Sequence, residues 1–253
     1  MNNIFDSHAH YNDRRFDDDR DSVLRNLPLQ GVTAVLNCGT TIESSEDCLR
    51  LAEEYDYLYA ACGVHPHEAE QEEPKLDTLY SLLKHEKCLA VGEIGLDYHY
   101  DFSPRDIQQR VFERHLQIAN ELQMPVIVHD REAHEDTMNL LKKYKPAGVV
   151  HCFSGSAEMA KEVVKLGMYV GFGGALTFKG AKKPLEAAAA VPKEMLLLET
   201  DCPYMAPVPY RGKRCDSSMI PVSAQVIADI WNCSVQEVLD ITNENAKRLF
   251  FKK

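Results

Sequence analysis

Two imidazoles stand two residues apart in Asp6-Ser7-His8-Ala9-His10. On an extended strand alternate side chains share one face, so both rings can point into a single site. Read alone, the pair fits a helix cap or plain surface as well as it fits a metal. Further along come His65 and His67 in Gly63-Val64-His65-Pro66-His67, Glu93 in Gly92-Glu93-Ile94-Gly95-Leu96-Asp97, then His129, His151 and the pair Glu199 and Asp201. Each ends or follows a short apolar run, and six of the ten histidines fall in this pattern. Imidazole and carboxylate donors together suit Zn²⁺, Mn²⁺, Fe²⁺ or Co²⁺. Glu93 alone also reads as a buried structural carboxylate paired with an arginine, because unpaired carboxylates rarely lie inside a fold. A place between two cations meets the same need. Asp201 alone reads as a turn cap ahead of Pro203, but its place beside the histidines favours a ligand or proton-acceptor role. His85, His99, His115 and His134 fall in expected helices or loops and read as surface or incidental.

The elements that must position these groups follow a repeating pattern. Strands are expected at Ile4–Ser7, Thr33–Cys38, Leu58–Cys62, Cys88–Glu93, Pro125–His129, Gly148–His151, Tyr169–Phe172 and Leu196–Glu199. Near-continuous runs such as Val126-Ile127-Val128 and Leu196-Leu197-Leu198 suit strands covered on both faces. Helical stretches lie between them, among them Arg105–Leu122, Ser156–Leu166 and Leu185–Val191. Ser103 before Pro104 reads as an N-cap followed by proline at the first helical position. A Pro-rich loop from Pro203 to Pro221 precedes two last helices, the second opened by the capping-box pattern Ser234-Val235-Gln236-Glu237. Eight strands alternating with helices predict an α/β fold, a closed (β/α)₈ or TIM barrel in one domain spanning residues 1–253, with a doubly wound open sheet as the alternative. In such a barrel the site lies at the C-terminal strand ends, where these polar residues cluster.

Composition sets the outer limits. The chain has 253 residues, 45% apolar and 26% charged, which excludes disordered, collagenous and coiled-coil classes. A net charge of −11 argues against broad binding to nucleic acid or anionic membrane but leaves room for a local basic site. Apolar runs such as Ala187 to Val191 are far shorter than the ~20 residues of a membrane span. The start, Met1 to Asp6, carries no secretory pattern, so a cytoplasmic location is expected, with no membrane and no obligate protein partner. The eight cysteines form no C-x-x-C pair and are read as reduced thiols that bind no metal.

Taken in order, the H-x-H near the N-terminus, Gly63-Val64-His65-Pro66-His67, Gly92-Glu93-Ile94-Gly95-Leu96-Asp97, Val128-His129, His151-Cys152-Phe153-Ser154-Gly155 and Glu199-Thr200-Asp201-Cys202-Pro203-Tyr204 resemble the TatD-like metal-dependent hydrolases of the amidohydrolase superfamily. The loop Pro209 to Arg214 and the closing Asn243-Glu244-Asn245-Ala246 are similar too, so the likeness runs over nearly the whole chain. It implies a (β/α)₈ barrel with a binuclear site. His8, His10 and Asp201 would hold one divalent ion, His129 and His151 the other, and Glu93 would bridge. The cofactor is then two divalent ions, of Mn, Mg, Zn, Co or Fe. The resemblance also implies phosphodiester hydrolysis on DNA, including exonuclease activity.

The expected mechanism is attack on phosphorus by a metal-bridging hydroxide, since a cation lowers the pKa of bound water toward ~7. Asp201 is the expected proton acceptor, and Glu199 a secondary catalytic or supporting group. His65 is expected to contact phosphate or the leaving group. Arg211, Lys213 and Arg214 form a basic cluster suited to backbone phosphates, with a solvated surface loop as the equal alternative. No row of aromatics is evident for stacking; Tyr98, Tyr204 and Tyr210 are the tyrosines expected near the mouth. DNA ends are the expected substrate, short or single-stranded. The alternative is metal-dependent hydrolysis of an amide, ester or lactone.

Overall fold

The computed structural model describes residues 1–251. The strands are β1 (Ile4–Ala9), β2 (Val32–Cys38), β3 (Leu58–Cys62), β4 (Cys88–Asp97), β5 (Val126–Arg131), β6 (Gly148–Val150), β7 (Tyr169–Phe172) and β8 (Leu196–Leu198). The helices are α1 (Arg20–Asn26), α2 (Ile42–Glu54), α3 (Ala69–Glu72), α4 (Leu79–Leu82), α5 (Arg105–Leu122), α6 (His134–Tyr144), α7 (Ala157–Lys165), α8 (Lys182–Ala190), α9 (Ile220–Trp231) and α10 (Val235–Phe250). All eight strands pair in parallel and in chain order, β1 through β8. The ring closes beyond the end of β8. Asp201 N donates to His8 O at 2.9 Å and His10 N to Cys202 O at 2.7 Å, so three candidate site residues carry the closing bonds. This excludes the open doubly wound sheet.

Alternation along the strands separates two cores. Val126 and Val128 of β5 pack outward under the helices with Leu196 and Leu198 of β8, whereas Ile127 and Leu197 point the other way. The second set takes residues from every strand, among them Phe5, Leu36, Ala61, Ala90, Val149 and Tyr169, and is closed by Leu249 and Phe250 of α10. It fills the barrel as a packed interior rather than a pore. Asn243 Nδ2 donates to Asn3 O and to Thr33 Oγ1, both at 3.0 Å, and Asn245 Nδ2 donates to Lys193 O and Leu196 O at 2.7 and 2.9 Å. The Asn243-Glu244-Asn245-Ala246 stretch therefore fastens α10 across the bottom of the barrel, opposite the site.

Several element boundaries differ from the sequence reading. Strand β4 runs four residues past Glu93, to Asp97, and its register with β5 shifts between Val91 and Ile94. Strict alternation from Ala90 would turn Glu93 outward with Val91; the shift turns it inward. His8 lies within β1 and His129 within β5, rather than at their ends. Pro104, not Ser103, occupies the cap of α5, because the Ser103 hydroxyl is used elsewhere: it donates to His67 O at 2.9 Å and accepts from Glu70 N at 3.1 Å. Ser234 does cap α10, accepting from Glu237 N at 3.2 Å. Among the described residues no helix is long and apolar enough to cross a membrane.

Candidate metal centre

His8, His10, Glu93, His129, His151 and Asp201 converge at the C-terminal end of the barrel, and His65 joins them. Glu93 is the hub. Its Oε2 lies 3.3 Å from His8 Nε2 and 3.5 Å from His10 Nε2, while Oε1 lies 2.8 Å from His151 Nε2, 3.0 Å from His129 Nδ1 and 3.6 Å from His65 Nε2. Asp201 Oδ1 completes the first side, 3.4 Å from His10 Nε2 and 3.8 Å from His8 Nε2. Burial acts to raise the Glu93 carboxyl, but His151, His8 and His65, with a hydrogen bond from His129, outweigh it and hold the group well below the usual range. Asp201, a fifth exposed, is likewise kept low against burial by His10, His8 and His151.

Hydrogen bonds behind the rings decide which nitrogens face the centre with a lone pair. His10 Nδ1 meets Cys38 O at 2.8 Å. A carbonyl oxygen only accepts, so Nδ1 carries a proton, and the ring in its neutral form turns a bare Nε2 inward. His129 is faced by a carboxylate on each side, Asp97 Oδ2 at 3.2 Å from Nε2 and Glu93 Oε1 at 3.0 Å from Nδ1; a cation bound beside Glu93 would leave the ring proton on Nε2, toward Asp97. The bare His10 Nε2 lies 3.5 Å from Glu93 Oε2 and 3.4 Å from Asp201 Oδ1, and such lone pairs repel unless a cation stands between them. The donor set thus fits divalent metal.

Asp97 was not singled out from the sequence. It is fully buried; Oδ2 also accepts from His67 Nε2 at 2.9 Å, and Oδ1 accepts from the backbone of His99 and Tyr100 at 3.0 Å each. Burial opposes its ionisation, and the His129 and His67 bonds override this, holding it far below the usual carboxylate range. Asp6 plays a similar part under β1. It accepts from Thr200 N and Oγ1 at 3.0 and 2.6 Å and from Ser217 Oγ at 2.7 Å. Burial nevertheless pushes it up to about 7.

Glu199 stands behind the centre. It is 1% exposed, lies outside the residues lining the cavity, and faces His151 Nδ1 at 3.7 Å while accepting from Cys152 N. Gly171 leaves it room, since a Cβ there would collide with Glu199 Oε2. Gly95 is required for a different reason: its φ is +143° and a Cβ would strike His129 O. Asp201 and Cys152 hold left-handed φ of +59° and +42°, uncommon backbone for non-glycine residues, next to the gathered donors.

A cavity of about 630 Å³ opens over the centre. His10, His65, Glu93, His129, His151 and Asp201 line it, but Arg211 and Lys213 do not. Arg211 packs on the Phe178 ring at 3.8 Å, Lys213 reaches toward Tyr210, and Arg214 is spent on Asp19 at 2.6–2.7 Å. The cation that does line the cavity is Arg131, together with Tyr100 and Tyr204. Tyr204 stands at the mouth as expected, Tyr98 and Tyr210 do not line it, and Tyr100, which the sequence reading did not name, does. Tyr98 is tied down by Asp136 and Gln109 at 2.8 and 2.7 Å. His115 is not a surface residue. It is buried in α5, donates to Val111 O at 2.7 Å and accepts from Val64 N at 3.2 Å, which steadies the turn carrying His65. His85 and His99 pair with Glu53 and Glu132 at the surface, and His134 with the buried Asp130. All eight cysteines are free thiols.

The family model described as "TatD related DNase" matches residues 5–251. The chain belongs to this family. Its TatD relatives include the uncharacterized metal-dependent hydrolase YabD of Bacillus subtilis, 42% identical over 98% of each chain. The 3'-5' ssDNA/RNA exonuclease TatD of Salmonella typhimurium is 34% identical, again over 98% of each chain. The crystal structure of YjjV, a TatD homologue from Escherichia coli, superposes with a TM-score of 0.92 at 32% identity, covering 99% of each chain. The protein is a metal-dependent hydrolase of the TatD family, built on a (β/α)₈ barrel.

Proposed function

We propose that the protein hydrolyses phosphodiester bonds at the ends of DNA, using two divalent ions of Mn, Mg, Zn, Co or Fe. The observation that carries this is the set of imidazole nitrogens and carboxylates gathered around Glu93. Divalent cations bound there would lower the pKa of water toward neutrality and offset charge on the phosphoryl oxygens. His8, His10 and Asp201 would hold one ion and His129 and His151 the other, with Glu93 shared between them. His65 stands beside the second position, close enough to Glu93 and His129 to act as a ligand as well as a phosphate contact.

The Asp201 carboxylate, ionised at neutral pH and open to the cavity, takes the proton from the attacking water and passes it toward the leaving oxygen. Glu199 orients His151 from behind rather than touching substrate. Arg131, at the cavity wall, supports the phosphate end of the reading better than Arg211 or Lys213. The name of the Salmonella relative supports a nucleic-acid substrate, and the acidic body supports a strand end over long duplex.

The test is a panel of phosphodiesters, phosphomonoesters, amides and lactones, each with and without chelator. Chelation should abolish turnover of the phosphodiesters and added Mn²⁺, Mg²⁺, Co²⁺ or Zn²⁺ should restore it. Full activity after exhaustive metal removal, or turnover confined to amides and lactones, defeats the proposal.

A further inference from the structure

The loop after β4 holds two aromatic rings in the open. Phe102 is 65% exposed and Tyr100 47%, and the two stack with centroids 5.2 Å apart and planes 18° from parallel. His67 meets both edge-on, at 5.4 and 4.8 Å. The guanidinium of Arg131, at the end of β5, lies 4.7 Å from the Tyr100 centroid.

Exposed apolar rings of this size are unfavourable in water, and this pair is not left to find cover. The loop is pinned instead. Tyr100 N donates to Asp97 Oδ1, Ser103 Oγ donates to His67 O, Gln108 Nε2 donates to Ser103 O at 2.8 Å, and Asp101 is held at a φ of +50°. The anchor Asp97 is the same carboxylate that orients His129. Rings and candidate metal centre are therefore fixed to one another through a single buried group. Tyr100 and Arg131 also line the cavity that holds the centre, so the platform continues into it without a break.

We infer that Tyr100 and Phe102, with Arg131, form a stacking platform for an unpaired nucleobase adjoining the phosphodiester at the metal centre. The inference rests on the proposed phosphodiesterase reading and assigns its strand selectivity. A base has a π-face to offer only when it is not paired and stacked in a duplex, and every base has one, so the platform selects single strands without reading sequence. Arg131 adds a cation over the ring and a contact for the neighbouring phosphate. On the far side of the cavity, Tyr204 follows β8, which stands opposite β4 in an eight-membered ring. It carries Arg15 over its ring at 4.0 Å and is 44% exposed, a second aromatic and cation pair across the centre from the first.

The experiment compares wild type, Tyr100→Ala, Phe102→Ala and Phe102→Trp on a thymidine hexamer, a blunt duplex end, and a hexamer made abasic at its terminal positions. Stacking losses of the size seen for single-strand binders raise KM for the thymidine hexamer about 5- to 100-fold in either alanine variant, with the loss falling on KM rather than kcat. Phe102→Trp restores KM, and the abasic hexamer starts with a high KM that the alanine variants leave alone. Binding of a phosphorothioate thymidine hexamer, which resists cleavage, is followed in parallel by fluorescence anisotropy. Cleavage with KM unmoved in both alanine variants overturns the platform and leaves the phosphodiesterase reading standing. Binding lost in the alanine variants of a protein that cleaves no phosphodiester overturns the phosphodiesterase reading and leaves the platform. An equal loss on abasic and normal hexamers, or no binding by wild type, overturns the platform as well.

Discussion

Asp97→Asn exchanges one oxygen for an amide NH₂ and should weaken metal binding at a centre it does not touch. In the native protein Oδ1 accepts from two backbone N–H groups, His99 and Tyr100, and Oδ2 accepts from two imidazoles, His67 and His129. Asparagine can satisfy only one of these pairs. The backbone donors cannot change, so the amide oxygen stays with them and the NH₂ faces the rings. His129 must then accept at Nε2, and its neutral form carries the proton on Nδ1, the nitrogen aimed at Glu93 Oε1. The lone pair proposed as a metal ligand is thereby blocked. Loss of such an orienting partner costs about 10- to 100-fold in metal affinity, about 1.4–2.7 kcal/mol. The measurement is a metal titration against a competing chelator for wild type and variant, with thermal unfolding of both metal-free proteins as the check on the fold. A folded Asp97→Asn protein with wild-type affinity for Mn²⁺ and Zn²⁺ would refute the tautomer argument.

Asp201→Asn should keep the fold and lower kcat by ~10²–10⁴ at saturating metal, because it removes a proton acceptor and a ligand charge; near-native turnover would remove Asp201 from the chemistry. Arg131→Ala should raise KM for a thymidine oligomer more than Arg211→Ala or Lys213→Ala, a ranking that steady-state kinetics on the three variants would reverse if the loop after β8 carries the phosphate contact. His115 bears on stability. Burial depresses its pKa from 6.5 to about 4, so the folded state holds the neutral ring. Its contribution is present above pH 6.5 and is lost as the pH falls toward 4, by about 2 kcal/mol between about pH 8 and pH 5. Urea unfolding of wild type and His115→Asn should show that difference shrinking on acidification; a pH-independent gap would contradict it. Ile127→Ala, inside the barrel and fully buried, should cost about 2–5 kcal/mol in the same assay.

The strands were legible because their signal is local. Leu58–Cys62 and Tyr169–Phe172 read from the apolar runs coincide with β3 and β7, and the others differ mostly by a residue or two. A buried parallel strand needs a short apolar run and nothing from elsewhere in the chain. The histidines and carboxylates at the run ends were legible for the same reason, since a parallel barrel presents all its C-terminal strand ends on one side. Strand β4 was cut short because Gly92 and Gly95 dilute its apolar run, so Asp97 went unread. The inward turn of Glu93 depends on a register shift against β5, a property of two strands and not of either sequence. His115 shares the buried face of α5 with Val111 and Ile118, a signal that was present at helical spacing but outweighed by residue type. Arg131, Tyr100 and Tyr204 meet over one cavity only because the ring closes, and Arg211 and Arg214 lie outside its lining, against Phe178 and Asp19. Backbone periodicity and turn chemistry act over a few residues and are written in order along the chain. Which side chains share a cavity, which nitrogen carries a proton and which cation is left free depend on neighbours contributed by distant strands, and those neighbours exist only once the barrel has closed.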